Sequence, residues 1–289
     1  MAKTFTTTSC TDAVQMLELL SPLTTGRYQN EDYIFRGQPD VNYELEPAAH
    51  RIEGDLTASN VNGTKEITVQ QQIQFEAKVL SLFLRGCDSS GLVVPGDRRD
   101  VRDTLISPQQ FFDHPWQWPP RYMHELQAVA QHHGVPTSLL DWTRRSFVAA
   151  YFAASAALRM KSAEGHLAVW ALNISQHEKW TGLKLVDVPG GNSSNLAAQA
   201  GLFTVSPTVL VDHDLFLPTS IGYRGGLDLD CFTLPKDQAG KLIEACEKLG
   251  VSGATMFPGY AGVAQQVRDW AHINFKGYAA DTIALRELM

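Results

Sequence analysis

Cysteine is scarce in this sequence, and the spacings that make cysteine useful are missing. Four cysteines, Cys10, Cys87, Cys231 and Cys246, are scattered over 289 residues with no Cys-x-x-Cys pair. Neither a disulfide framework nor a thiolate zinc site is expected, and a reducing compartment is the default. No stretch approaches the ~20 consecutive apolar residues of a membrane-spanning helix. The opening residues, Met-Ala-Lys-Thr-Phe-Thr-Thr-Thr-Ser, hold no apolar run of signal-peptide length. The expectation is a cytoplasmic protein with no membrane partner. Positive charge is short as well: 24 Lys and Arg stand against 31 Asp and Glu, a net charge of -7. That balance argues against strong non-specific nucleic-acid binding by phosphate neutralisation, while leaving room for a local basic groove.

The familiar signatures of several enzyme classes are absent too. There is no Gly-x-Gly-x-x-Gly, no Gly-Lys-Ser/Thr phosphate loop, no His-Glu-x-x-His and no Gly-x-Ser-x-Gly elbow. The densest acid–histidine run is Asp212-His213-Asp214. Adjacent side chains point apart on an extended chain, so this run reads as a solvated loop and no metal site is expected.

What is present is ordinary bulk composition with an unusual local pattern. Hydrophobic residues make up 44% and charged residues 19%, enough apolar surface for a substantial core. Helical spacing marks 12–20, 67–85 (through Ile73, Val79, Leu80, Phe83 and Leu84), 122–132 and 237–249, with Gly250 as the stop. Short apolar strands are predicted at 33–37, 166–173 and 229–234, and a helix end, a Gly and a strand across 197–205. Segments 55–66 and 190–195 read as loops. Segment 88–108 reads as an Arg-bearing loop, and Pro115-Trp116-Gln117-Trp118-Pro119-Pro120 as a rigid linker. Together, 88–120 forms a loop or lid-like insertion in a single domain with its core at about 30–270. Helices and strands alternate irregularly, which favours an α+β fold with central mixed or antiparallel sheets flanked by helices.

Polar groups abut short strands at three places. In Phe35-Arg36-Gly37-Gln38, a strand ends on a guanidinium able to fork onto a phosphate or carboxylate, and Gly37 lets the backbone turn or a ligand approach closely. The alternative is a structural ion pair of Arg36 with Glu31, Asp32 or Glu46. In the second, Gln131-His132-His133-Gly134-Val135-Pro136-Thr137-Ser138-Leu139-Leu140-Asp141-Trp142-Thr143, two imidazoles precede a strand that ends on Asp-Trp-Thr, and a small-residue helix follows at 147–154. His132 or His133 is a candidate base or ligand donor. Asp141 is a candidate general base or ribose anchor, or a cap for the next helix along with Thr143. Trp142 is a core residue or a stacking platform. In the third, Asn195-Leu196-Ala197-Ala198-Gln199-Ala200-Gly201-Leu202-Phe203-Thr204, the Gln199 amide either meets a ligand or closes a loop.

These stations resemble, in order, the FRG domain family, named for its Phe-Arg-Gly signature. The matching residues are Phe35-Arg36-Gly37-Gln38, Gln131-His132-x-Gly134-x-Pro136-Thr137-x-Leu139-Leu140-Asp141-Trp142-Thr143, Ala149-x-Tyr151-Phe152-Ala153, Gln199-x-Gly201-x-Phe203-Thr204 and Gly250-Val251-x-x-x-x-Met256-Phe257-Pro258. Ser138 stands where that family usually has Arg, so that role either falls to Arg144 or Arg145 or is missing here. The pattern is also similar, more weakly, to ADP-ribosyltransferases of the Arg-Ser-Glu type. That second resemblance implies a split sheet and NAD as substrate, with a macromolecular acceptor, protein or nucleic acid, as expected of a toxin or antiviral defence effector. It assigns NAD binding to Arg36, Gly37, Gln38, His132 and Thr143, with Trp142 or Tyr151 beside the nicotinamide. It assigns chemistry to Asp141, Gln199 and His133. Gly201 occupies the place of the expected Glu, so Asp141 would have to supply the negative charge at the anomeric carbon. A binding module without turnover, and a hydrolase or nuclease using His133 and Asp141, are the competing expectations.

Overall fold

The computed structural model describes residues 5–24, 28, 32–51, 54, 56–206, 215–218 and 220–275. Asp212-His213-Asp214 and Glu31 lie outside them. The frame is a seven-stranded mixed sheet built from β1 (Thr6–Ser9), β2 (Tyr33–Gln38), β3 (Leu139–Thr143), β4 (His166–Asn173), β5 (Lys184–Val186), β6 (Gly201–Val205) and β7 (Leu229–Pro235). Their spatial order is β1-β7-β4-β2-β3-β6-β5. β1 runs parallel to β7, and the remaining pairs are antiparallel.

Alternation along the strands sorts residues to two faces. Phe35, Val169, Ala171 and Phe232 pack on one face against α1 (Ala13–Leu20), α6 (Ser146–Leu158) and α8 (Ala239–Lys248). Ile34, Leu140, Trp142, Trp170 and Leu202 form a core on the other. α6 is apolar almost all round and buried along most of its length, as befits a helix enclosed by protein. It lies very close to β2: a Cβ added at Gly37 would sit 2.0 Å from the Ala149 carbonyl oxygen and 2.6 Å from the Ala153 nitrogen. Gly37 and the alanines one turn apart on α6 are therefore a packing device. Gly37 serves helix docking first, where the sequence pointed to a backbone turn or ligand approach.

β2 and β3 are joined at a single register pair, Phe35 opposite Thr143. Beyond it β2 follows β4, β3 follows β6, and the two strands part. The gap matters because the polar stations converge there.

Between β2 and β3 the chain builds a helical layer with its own core. Its helices are α2 (Ala58–Asn62), α3 (Val69–Ser89), α4 (Arg99–Ile106) and α5 (His124–His132). Ile73, Leu80, Val101, Leu105, Phe111 and Trp118 lie inside it. This corrects the expectation of a loop or lid at 88–120. The arginines that gave the segment its loop-like look are neutralised locally: Arg102 forks onto Asp88 and Asp97, and Arg98 pairs with Asp100. With those charges matched, Val101 and Leu105, one turn apart, are free to face inward. Trp118 is fully buried and donates its indole N–H to Glu76 Oε2 at 2.9 Å, so this part of the aromatic run is core, while Trp116 stays exposed. The expected loop at 55–66 contains α2, capped by the Thr57 hydroxyl and ended by Gly63 at φ 67°.

α7 (Ser194–Gln199), α9 (Gly253–Met256) and α10 (Tyr260–Phe275) complete the helices. α7 begins at Ser194, taking in the last two residues of the segment 190–195 read as loop. α10 is fastened to α6 through Asp269, which is buried and accepts hydrogen bonds from Tyr151 Oη at 2.6 Å, Ser155 Oγ at 2.7 Å and Gln265 Nε2 at 2.8 Å. No helix among the described residues is long and apolar enough to cross a membrane.

Candidate functional site

A cavity of about 340 Å³ opens where β2 and β3 part. Arg36 and Gly37 from β2, Asp141 and Thr143 from β3, His132 from the end of α5 and Gln199 from the end of α7 all line it. Residues more than a hundred positions apart thus meet in one cleft. A second cavity of about 250 Å³ adjoins it, sharing Arg36, Gln131 and Asp141 and adding Arg51.

Arg36 stands between the two cavities. Its Nη1–H donates to the backbone oxygen of Asp141 at 2.8 Å, bridging the strands where their ladder has ended. The Asp141 carboxylate lies 3.6 Å from the same nitrogen, too far for a tight ion pair, and its side chain is half exposed. Arg36 Nε is buried and unpartnered. Burial lowers the basicity of this guanidinium, Asp141 offsets part of that, and Arg51 adds repulsion. A desolvated cation with unused donors, facing a second cation, is chemically suited to an anionic ligand. The ion pair expected with Asp32 or Glu46 does not form; Asp141 is the carboxylate beside Arg36.

His132 adds an imidazole whose Nε2 is buried without a partner. Its ring packs edge-on to Phe203 at 6.0 Å. Burial lowers its pKa, Asp141 pulls the other way, and His133 adds to the lowering. The imidazole is therefore neutral near neutral pH and able to accept a proton or a hydrogen bond.

Thr143 and Gln199 line the cleft but hold it together. Thr143 Oγ donates to the Gln199 carbonyl oxygen at 2.6 Å and accepts from the Arg145 N–H at 3.0 Å. It does not cap α6, whose N-cap position, Arg145, makes no side-chain cap bond, and Asp141 does not cap it either. Gln199 Nε2 donates to the Met256 carbonyl oxygen at 3.1 Å. That bond anchors the segment carrying Phe257, whose ring meets Phe152 edge-on at 5.9 Å in the cavity wall. The Gln199 amide thus closes a loop, as its second reading had it, and positions an aromatic wall.

Other expected site residues are placed elsewhere. Trp142 touches the cleft, but its side chain is 3% exposed and its indole N–H donates to Thr204 Oγ at 2.9 Å on the far face of the sheet. The alternation that turns Asp141 and Thr143 to the cleft turns Trp142 away. Tyr151 is buried on Asp269 and does not line the cavity. Gln38 is buried, donating to the Glu44 carbonyl oxygen and accepting from the Trp170 indole. His133 follows the last residue of α5, is exposed, and stacks near Phe83 outside the cleft. The role expected of the missing Arg at 138 is not filled at the cleft: Ser138 Oγ accepts from Gln127, Arg144 pairs with Asp187, and Arg145 is exposed. Sequence reasoning missed the aromatic wall of Phe152 and Phe257 and the second cation, Arg51. Both phenylalanines stood in the quoted motifs; Arg51 carried no signal.

Against known families, residues 31–162 match the model of the FRG domain. No curated protein and no solved structure matches the chain. The matched span takes in β2, the helical layer, β3 and α6, and so four of the groups facing the cleft. The span that matches the FRG domain model, residues 31–162, contributes Arg36, His132, Asp141 and Thr143 to the cleft.

Proposed function

We propose that the cleft between β2 and β3 binds NAD and that the protein transfers the ADP-ribose unit to a protein or nucleic-acid acceptor, the activity of a toxin or antiviral effector. The observation that carries this reading is Arg36, a buried guanidinium with an unpartnered Nε, set between two adjoining cavities that both include Asp141. The pyrophosphate takes the Arg36 position. The nicotinamide ring lies against Phe152 and Phe257, in place of Trp142 or Tyr151. The Asp141 carboxylate faces the anomeric carbon, where positive charge develops as the bond to nicotinamide breaks. His132, neutral and unpartnered, accepts the proton of the incoming acceptor.

A second reading, nucleotide binding without turnover, is favoured by two observations. Gly201 occupies the place of the expected Glu, where a Cβ would stand 2.6 Å from Leu196 Cδ1, and the Gln199 amide is held by Met256. A hydrolase using His133 and Asp141 has no support, because His133 lies outside the cleft. Release of nicotinamide from NAD decides between the first two. Release by the parent protein that falls by about 10²–10³-fold in Asp141→Asn supports transfer. NAD binding with no nicotinamide released, with proteins and nucleic acids offered as acceptors, supports the binding module.

A further inference from the structure

A cavity of about 780 Å³ lies away from the cleft and shares no lining residue with it. It sits between the helical layer and the sheet edge formed by β5. Trp116 is half exposed in its wall, and Trp180, from the β4–β5 connection, forms another part of it. An exposed tryptophan at a cavity is a ready stacking surface.

Two cations, Arg121 and Lys184, and two imidazoles, His124 and His177, share this space. Arg121 and Lys184 are exposed and make no ion pair among the described residues, while the lining carboxylate Asp187 is taken up by Arg144 at 2.7 Å. His124, the first residue of α5, has a buried Nε2 without a partner. Its pKa is pushed down to about 4 by burial, then by Lys184 and Arg121, so the ring is neutral and its buried Nε2 is open to a hydrogen bond. α5 starts here without a side-chain cap, its positive dipole end adding to the two cations. Glu125 and Glu178 supply acceptors at the rim.

We infer that this cavity is a nucleotide site: a base stacks on Trp116, a phosphate rests on Arg121 and Lys184, and His124 Nε2 makes a hydrogen bond with the base or sugar. The net charge of -7 disfavours a long strand laid across the surface, so the unit recognised is one nucleotide, free or at the end of a single strand. The inference does not rest on the NAD reading; where that reading holds, this site would receive a nucleic-acid acceptor.

Calorimetric titration of the full chain tests it, with the common nucleoside 5′-monophosphates and with short 5′-phosphorylated single-stranded oligonucleotides of two lengths as probes. Trp116→Ala and Lys184→Ala, both exposed, should each weaken binding by roughly tenfold without changing the melting temperature. Arg36→Lys should leave in place the part of the binding that depends on Trp116 and Lys184. Equal affinity for monophosphates and oligonucleotides identifies a free nucleotide. Tighter oligonucleotide binding that does not grow with length identifies a strand end. No binding of any probe, binding indifferent to Trp116→Ala and Lys184→Ala, or binding abolished by Arg36→Lys overturns the inference.

Discussion

Replacing Gly37 by Ala asks whether the glycine of the Phe-Arg-Gly signature serves packing or ligand. The added methyl would lie 2.0 Å from the Ala149 oxygen, 2.6 Å from the Ala153 nitrogen and 3.0 Å from the Ala149 carbonyl carbon. All three atoms are backbone, so no side chain can rotate aside. α6 must retreat by about 1 Å, and it is wedged against α1, α8 and the sheet, where interiors yield little. Overpacking ordinarily costs ~1–3 kcal/mol, and a backbone clash belongs at or above the top of that range. A cost of about 3 kcal/mol lowers Tm by roughly 6–12 °C at the ~2–4 °C per kcal/mol expected of larger domains. Gly225→Ala is the control, because a Cβ there meets nothing within 4 Å. Thermal unfolding followed by circular dichroism reads both variants. If Gly37→Ala melts with the parent and the control, the close approach of α6 to β2 is wrong.

Three further outcomes follow from the buried polar groups. Asp269→Ala strands the donors of Tyr151, Ser155 and Gln265, so hydrogen exchange in α10 should accelerate and stability fall by about 3 kcal/mol or more; unchanged protection of α10 would refute that anchoring. Tyr151→Phe removes one of those bonds and should cost about 1.5–3 kcal/mol in denaturant unfolding while leaving NAD affinity unchanged; lost affinity would return Tyr151 to the ligand site. Burial would raise the pKa of Glu76, but the His50 imidazole with the N–H groups of Gln72 and Trp118 holds it below the ordinary 4.5. A depressed carboxylate stabilises the fold above its unfolded pKa and loses that contribution as pH falls through the folded value. The unfolding midpoint of the parent should therefore drop below pH 4.5 more steeply than that of Glu76→Gln, and parallel profiles would contradict it.

Much of the frame was legible because local period and residue size carry it. The Tyr33–Gln38 strand, the long helix from Val69 and the small-residue helix after Thr143 follow from spacing alone. That Arg36, Asp141, Thr143 and Gln199 could share a cleft was legible as a pattern, each polar group standing beside a short apolar strand or helix end; the histidine expected to act with them was His133, and the one lining the cavity is His132. What failed depended on partners far along the chain. The Arg-rich segment is the exception: it looked like a loop although its neutralising partners, Asp100, Asp97 and Asp88, lie 2, 5 and 14 residues from the arginines they hold. Tyr151 looked like a cleft aromatic because Asp269, which claims its hydroxyl, lies 118 positions away. Trp142 and His133 each sit one residue from a cleft-facing neighbour, and a one-residue step reverses the side of a strand or leaves the end of a helix.

The central claim is that Arg36 grips the phosphates of a dinucleotide in the cleft. Calorimetric titration of the full chain with NAD, run for the parent and for Arg36→Lys, tests it most directly. Lysine keeps the charge but loses the planar fork, so the variant should bind about tenfold or more weakly while melting close to the parent. Equal affinity of the two proteins for NAD, or no binding by the parent at all, would contradict the account.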